Sequence, residues 1–146
     1  MPCSQKQAFT VFVDEIGTWW PLSRFTISAM AGGVACSVVI EPKDGGKVVE
    51  IGPDGTEHSW GKVRKYDPYG LLSMDFHIPG PQIVIDDFSI VDVTFTPLAD
   101  DRTKVELKQT NWEAFGEHAN MLRGGYTIGW DAIFVEAYAA AAAAAK

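Results

Sequence analysis

Glu50 is the residue of this chain best placed to do chemistry, because it sits in an apolar run with strand character, Lys47-Val48-Val49-Glu50-Ile51. A carboxylate drawn out of water there has its pKa pushed upward unless hydrogen-bond donors meet it. That makes it a weak catalytic candidate, as acid or base, and a candidate anchor for a polar ligand group. Val48 and Glu50 share one face of such a strand, and Lys47, Val49 and Ile51 share the other. Periodicity therefore leaves open which face is inside, and a solvated hairpin glutamate is the alternative. His58, between Glu57 and Trp60, raises the same thought, but a lone histidine is more often a surface or packing residue. Asp86-Asp87 and Asp100-Asp101 are adjacent carboxylates, which diverge on a strand and are solvated in a turn, so neither forms an acid/base dyad. A GxSxG elbow, a phosphate-binding GxxxxGK[ST] loop and a dinucleotide GxGxxG are all missing. His58, His77 and His118 are far apart and no CxxC occurs, so neither a metal site nor a cofactor is expected.

Composition narrows the partners. Twelve basic against nineteen acidic residues give a formal charge of -7, with no Lys/Arg cluster to neutralise phosphates, which argues against nucleic acid. The N-terminal Met1-Pro2-Cys3-Ser4-Gln5-Lys6 is not followed by an apolar core of a leader, and no charge-free apolar stretch of about 18 residues occurs. We expect no membrane association and a cytoplasmic location. Cys3 and Cys36 need not pair in such a compartment, and Cys36 reads as a small core residue. At 146 residues the chain suits one domain, 1-146, that buries roughly 70% of its unfolded surface.

The elements that must position Glu50 follow from pattern. Phe9, Phe12, Val13, Ile16 and Trp20 recur at helical spacing behind a Ser4 N-cap, interrupted at Gly17 and ended at Pro21. Strands are expected over Val34–Ile40, Lys47–Ile51 and Glu57–Tyr66, separated by the turns Lys43-Asp44-Gly45-Gly46 and Gly52-Pro53-Asp54-Gly55. Leu72, Met74 and Phe76 alternate with polar residues, as do Val91, Val93 and Phe95, and then Val105 and Leu107, giving half-buried antiparallel strands. The Pro-rich His77-Ile78-Pro79-Gly80-Pro81 reads as a loop at one sheet end. From about Glu117 the chain is helical, with an apolar stripe of Met121, Trp130, Ile133, Phe134 and Ala137. Gly124, Gly125 and Gly129 predict a bend or a close approach to the sheet. The run Ala139 to Ala145 has helix propensity but nothing to bury, so its end frays.

One architecture satisfies this order: a curved antiparallel sheet wrapped around a long C-terminal helix, with the short helices closing one end. The string Gly45-Gly46-Lys47-Val48-Val49-Glu50-Ile51-Gly52-Pro53-Asp54-Gly55-Thr56-Glu57, continuing through Trp60-Gly61-Lys62-Val63 to Asp67-Pro68, resembles the Hsp90-ATPase-activator-homologue-like family of the START/Bet v 1 superfamily. The likeness extends to Phe9 with Trp19-Trp20-Pro21, Val93-Thr94-Phe95-Thr96-Pro97, Lys104-Val105-Glu106-Leu107, and Gly125-Tyr126 with Gly129-Trp130. It implies an α+β helix-grip fold with an apolar cavity between sheet and helix, and it places Glu50 toward that cavity. On this reading Trp20, Glu50, Trp60, Met74, Phe76, Phe95, Trp112 and Trp130 are the candidate ligand-binding residues, although large aromatics pack cores in any protein. The implied partner is a small hydrophobic or aromatic molecule. The alternatives are a cyclase- or lyase-type enzyme on a hydrophobic substrate, and an Hsp90 co-chaperone-like partner. Family members carry a strand before the first helix, whereas about four residues precede Gln5 here. The first edge strand is therefore expected to be missing, and either the open sheet edge pairs in a homodimer or the sequence is truncated.

Overall fold

The computed structural model describes residues 1–79 and 87–144. Ser4 Oγ accepts from Gln7 N, and Gln7 Oε1 accepts from Ser4 N at 3.0 Å, a reciprocal cap that starts α1, Gln5–Val13. The helix stops at Asp14, and α2, Ile16–Trp19, follows. Gly17 lies inside α2 and does not interrupt it. A Cβ there would collide with Ser37 Oγ and lie 3.0 Å from Val38 O, so glycine is what lets α2 rest on the sheet. Trp19 Nε1 donates to Val11 O at 2.7 Å and fixes the angle between the two helices. A third short helix, α3, Ile27–Met30, is capped by Thr26 Oγ1, which accepts from Ala29 N at 3.0 Å.

Six strands then form one antiparallel sheet in chain order: β1 Ser37–Ile40, β2 Lys47–Ile51, β3 Glu57–Asp67, β4 Leu71–Phe76, β5 Ser89–Ala99 and β6 Arg102–Thr110. The first is shorter than its β-branched run predicts: Val34 to Cys36 lie outside the strand, and Ala35 N donates to Leu22 O. Cys36, just before β1, is exposed rather than a core residue, and Cys3 is the buried cysteine. Leu72, Met74 and Phe76 of β4 lie opposite Val93, Val91 and Ser89 of β5, and all six are buried on the inner face. That face is where the period-two pattern placed it.

After β6 the chain makes 3₁₀-type turns over Trp112–His118 and enters α4, Ala119–Trp130. The same helix widens to π geometry over Asp131–Tyr138 and closes as α5, Ala139–Ala144. Ile133, Tyr138 and Ala142 carry it into the core, and Tyr138 Oη donates to Ala8 O at 2.7 Å. The alanine run does bury something: Ala142 is fully buried against the core that includes α1, because methyl side chains permit close helix approach. Ala145 of that run lies outside the described residues, as do Gly80 and Pro81 of the Pro-rich segment.

The open edge is partly occupied. Met1 and Thr103 exchange both backbone hydrogen bonds, at 2.8 and 3.0 Å, and Thr103 Oγ1 donates to Cys3 O. Met1 to Cys3 thus lie along the start of β6 as its antiparallel neighbour. By the period of two, Val105, Leu107 and Gln109 turn their N–H and C=O groups to the same side, and among the described residues these groups have no backbone partner beyond the sheet.

Candidate functional site

Glu50 faces inward and is fully buried. A β-bulge aims its neighbour: Val48 pairs with Gly61 and Val49 with Ser59, leaving Trp60 as the extra residue. Trp60 turns its fully buried indole inward and donates from Nε1 to Glu50 Oε1 at 3.2 Å. The same oxygen accepts from Ile27 N at 2.6 Å, while Oε2 accepts from Ser28 N at 2.7 Å and from Ser28 Oγ. Four donors therefore fill the carboxylate, three of them from the first turn of α3. The arrangement suits a clamp that ties α3 to the sheet, since a filled carboxylate has no free lone pair for a ligand or a travelling proton.

The aromatic candidates meet in a packed layer. Ring centroids are 5.0 Å apart for Trp20 and Trp60, 5.9 Å for Trp60 and Phe76, and 5.5 Å for Phe76 and Trp130, all within the range of favourable aromatic contact. Phe95 packs on Phe9 at 5.1 Å, and Met74 is buried. The aromatic candidates between sheet and helix, expected to line a cavity, pack against one another here. Trp20, Trp60, Met74, Phe76 and Phe95 line neither of the two openings beside the C-terminal helix.

The first of these openings, of about 330 Å³, is a groove between the Arg24–Met30 segment and α4. Phe25, Ile78, Tyr126 and Ile133 form its walls, and the thioethers of Met30 and Met121 form its exposed lips. Met121 is thus a lip residue, not part of the buried stripe. Two glycines shape the floor. A Cβ on Gly129 would touch Phe25 at 3.6 Å, so the close approach expected to the sheet is instead to the segment before α3, while a Cβ on Gly125 would enter open space. Tyr126 Oη accepts from Ile78 N at 2.8 Å and lies 3.2 Å from His77 Nδ1. Burial pushes the His77 pKa down and the Tyr126 phenol up, so a neutral imidazole faces a neutral phenol. Among the described residues His77 Nε2 has no partner.

The second opening, of about 310 Å³, runs between β6 and the helix and is lined by Leu107, Trp112, Trp130 and Phe134 among others. Trp130 Nε1 donates to Gln109 Oε1 at 2.8 Å, so these two polar groups satisfy each other across the wall. Trp112 and Trp130 are the two sequence candidates at an opening. His58 is half-buried beside Gly52 and lies opposite Glu50 in the β2–β3 register, but it is not among the donors that fill that carboxylate. Asp87, Asp100 and Asp101 are exposed, and Asp86 lies outside the described residues. Among the described residues no group of three His, Cys, Asp or Glu side chains converges as a metal site, and no helix is long and apolar enough to cross a membrane.

The groove residues Phe25, Ile78 and Tyr126 escaped sequence reasoning as ligand contacts. The one signal for them was the pair Gly125 and Gly129, one helical turn apart on a face that should otherwise carry bulk.

Residues 3–137 match the family described as Activator of Hsp90 ATPase homolog 1-like protein. The chain belongs to that family. Its half-barrel and long helix are those of solved helix-grip proteins. One is CalC, a self-sacrificing resistance protein from Micromonospora echinospora, with 27% identity, a TM-score of 0.66, and coverage of 94% of this chain and 85% of that one. Another is Txn09, an anthrahydroquino-γ-pyrone synthase, with 28% identity, a TM-score of 0.57, and coverage of 84% and 79%. Protein Ms6760 from Mycobacterium smegmatis shares the fold at 19% identity and a TM-score of 0.56, over 97% of this chain and 80% of its own. No curated protein matches the sequence significantly.

Proposed function

We propose that this family member binds a small, flat, apolar molecule in the groove over Gly125. The observation that carries the reading is the coincidence of an apolar groove in the size range of ligand sites with a glycine whose missing side chain leaves that space open. Methionine lips support it, because flexible, polarizable thioethers adapt to varied apolar partners. Txn09, named for a fused-ring product, supports a polycyclic aromatic occupant. The free thiols of Cys3 and Cys36 fit the reducing cytoplasm expected from the sequence.

The test exploits two effects of opposite sign. Gly125→Leu should raise stability by about 0.7 kcal/mol, since glycine is a poor helix residue and a Cβ there meets no atom. It should also weaken binding of the fluorescent probe phenyl-naphthylamine at least about tenfold by filling the groove. A thermal melt and a fluorescence titration read both. Unchanged probe affinity in a stabilised variant would remove the groove as the site.

The open edge of β6 favours a compatible second reading, in which two copies pair there. Antiparallel pairing centred on Leu107 brings Leu107 against Leu107 of the second copy and Val105 against Gln109 of the second copy. It also sets Glu106 against Lys108 of the second copy. Opposite charges facing each other across strands contribute about 0.2–1 kcal/mol, and like charges destabilise by a similar amount. Glu106→Lys and Lys108→Glu should each shift the dimer toward monomer in sedimentation, and the doubly swapped chain should recover it. A parent protein that stays monomeric at high concentration refutes the pairing.

A further inference from the structure

The geometry points to an anionic end on the molecule that occupies the groove, held by Arg24 at its mouth. This inference rests on the groove being the ligand site. Apart from Arg24 and Tyr126, the side chains around the groove are carbon and thioether: Phe25, Met30, Ile78, Met121, Leu122 and Ile133. Tyr126 is committed. Its oxygen accepts from Ile78 N at 2.8 Å and stands 3.2 Å from His77 Nδ1, within hydrogen-bond reach. Arg24 is not committed. No carboxylate lies within 4.0 Å of it among the described residues. Glu50, which the neighbouring α3 engages, is buried beneath Ile27 and Ser28 with its oxygens filled by their donors and by Trp60.

Position makes the free guanidinium useful. Its carbon stands 4.8 Å from the centroid of Phe25, itself a groove wall, so the cation is stacked on the surface over which a ligand would slide. A planar guanidinium presents paired N–H donors that match a carboxylate or sulfonate bidentately. With a net charge of -7 the protein as a whole repels anions, so capture of one here has to come from this local arrangement. The occupant is then an amphiphile: a flat apolar body over Gly125 and an oxyanion at the mouth.

Two probes that share a ring system separate the claims: anilinonaphthalene sulfonate, which carries the oxyanion, and phenyl-naphthylamine, which does not. In fluorescence titrations Arg24→Gln should weaken the sulfonate about tenfold and leave the uncharged probe within about twofold, with Arg24→Lys recovering part of the loss. If Arg24→Gln leaves the sulfonate unchanged while Gly125→Leu still expels phenyl-naphthylamine, the groove stands and the role of Arg24 falls. That role falls as well if Arg24→Gln weakens both probes equally, because the residue then acts by packing on Phe25. If Gly125→Leu expels neither probe, the groove reading itself falls.

Discussion

Glu50→Ala should cost the fold about 4 kcal/mol, seen as a large drop in the denaturant midpoint. The side chain is fully buried and accepts from Ile27 N, Ser28 N, Ser28 Oγ and Trp60 Nε1. Its removal strands four donors, and each buried unpaired donor costs about 1–3 kcal/mol, part of which is recovered because a carboxylate no longer has to be desolvated. Against a typical total of about 5–15 kcal/mol the loss is severe. Glu50→Gln preserves the shape but sets an amide N–H₂ against donor-only groups, Ser28 N on one side or Ile27 N and Trp60 Nε1 on the other, so it should cost about 2 kcal/mol. The order Ala worse than Gln, with both well below the parent protein, is the signature of a clamp. Two midpoints indistinguishable from the parent would show that the carboxylate holds nothing. Because α3 carries Met30, a lip of the groove, both variants should also bind phenyl-naphthylamine less well, through a displaced wall rather than a lost contact.

What could be read from the chain divides along a physical line. Strands half-buried in a sheet have a period of two, so the inward sets Leu72, Met74, Phe76 and Val91, Val93, Phe95 are visible in the residue pattern alone. The strand carrying Glu50 is not, because Val48 and Val49 are buried on opposite faces and no alternation separates inside from outside. Four-residue α3 is too short for an apolar stripe, and the groups that hold it at Glu50 lie 22 and 23 residues away, beyond the reach of local pattern. The aromatic residues are legible as inward-facing but not as mutually packed. Whether Trp20, Trp60, Phe76 and Trp130 surround a void or fill it is a matter of volume, which no residue type encodes. The groove is legible in the opposite sense, through what is missing: Gly125 and Gly129 deny bulk to one helix face, and only the fold shows that one meets Phe25 and the other meets space.

Gly61→Ala should be as damaging as the loss of Glu50, by a different route. Gly61 sits at the bulge with φ +150° and is buried. An added Cβ would overlap the backbone carbonyl of Asp75 and lie 2.6 Å from its carbon. That obstacle is strand backbone, which unlike the end of a side chain cannot turn aside. β4 would have to move away from β3, and His77 N, which donates to Trp60 O at 2.8 Å, would lose that bond. Overpacking alone costs about 1–3 kcal/mol, and a strained backbone adds a similar amount, so about 3 kcal/mol or more is expected. The displacement also reaches the clamp, since the bulge is what turns Trp60 Nε1 toward Glu50. A double-mutant cycle of Gly61→Ala with Trp60→Phe therefore tests the connection. If the bulge serves to aim the indole, the two losses should be sub-additive, because each breaks the same hydrogen bond. Strictly additive losses would mean that the glycine accommodates β4 alone and that Trp60 reaches Glu50 without its help.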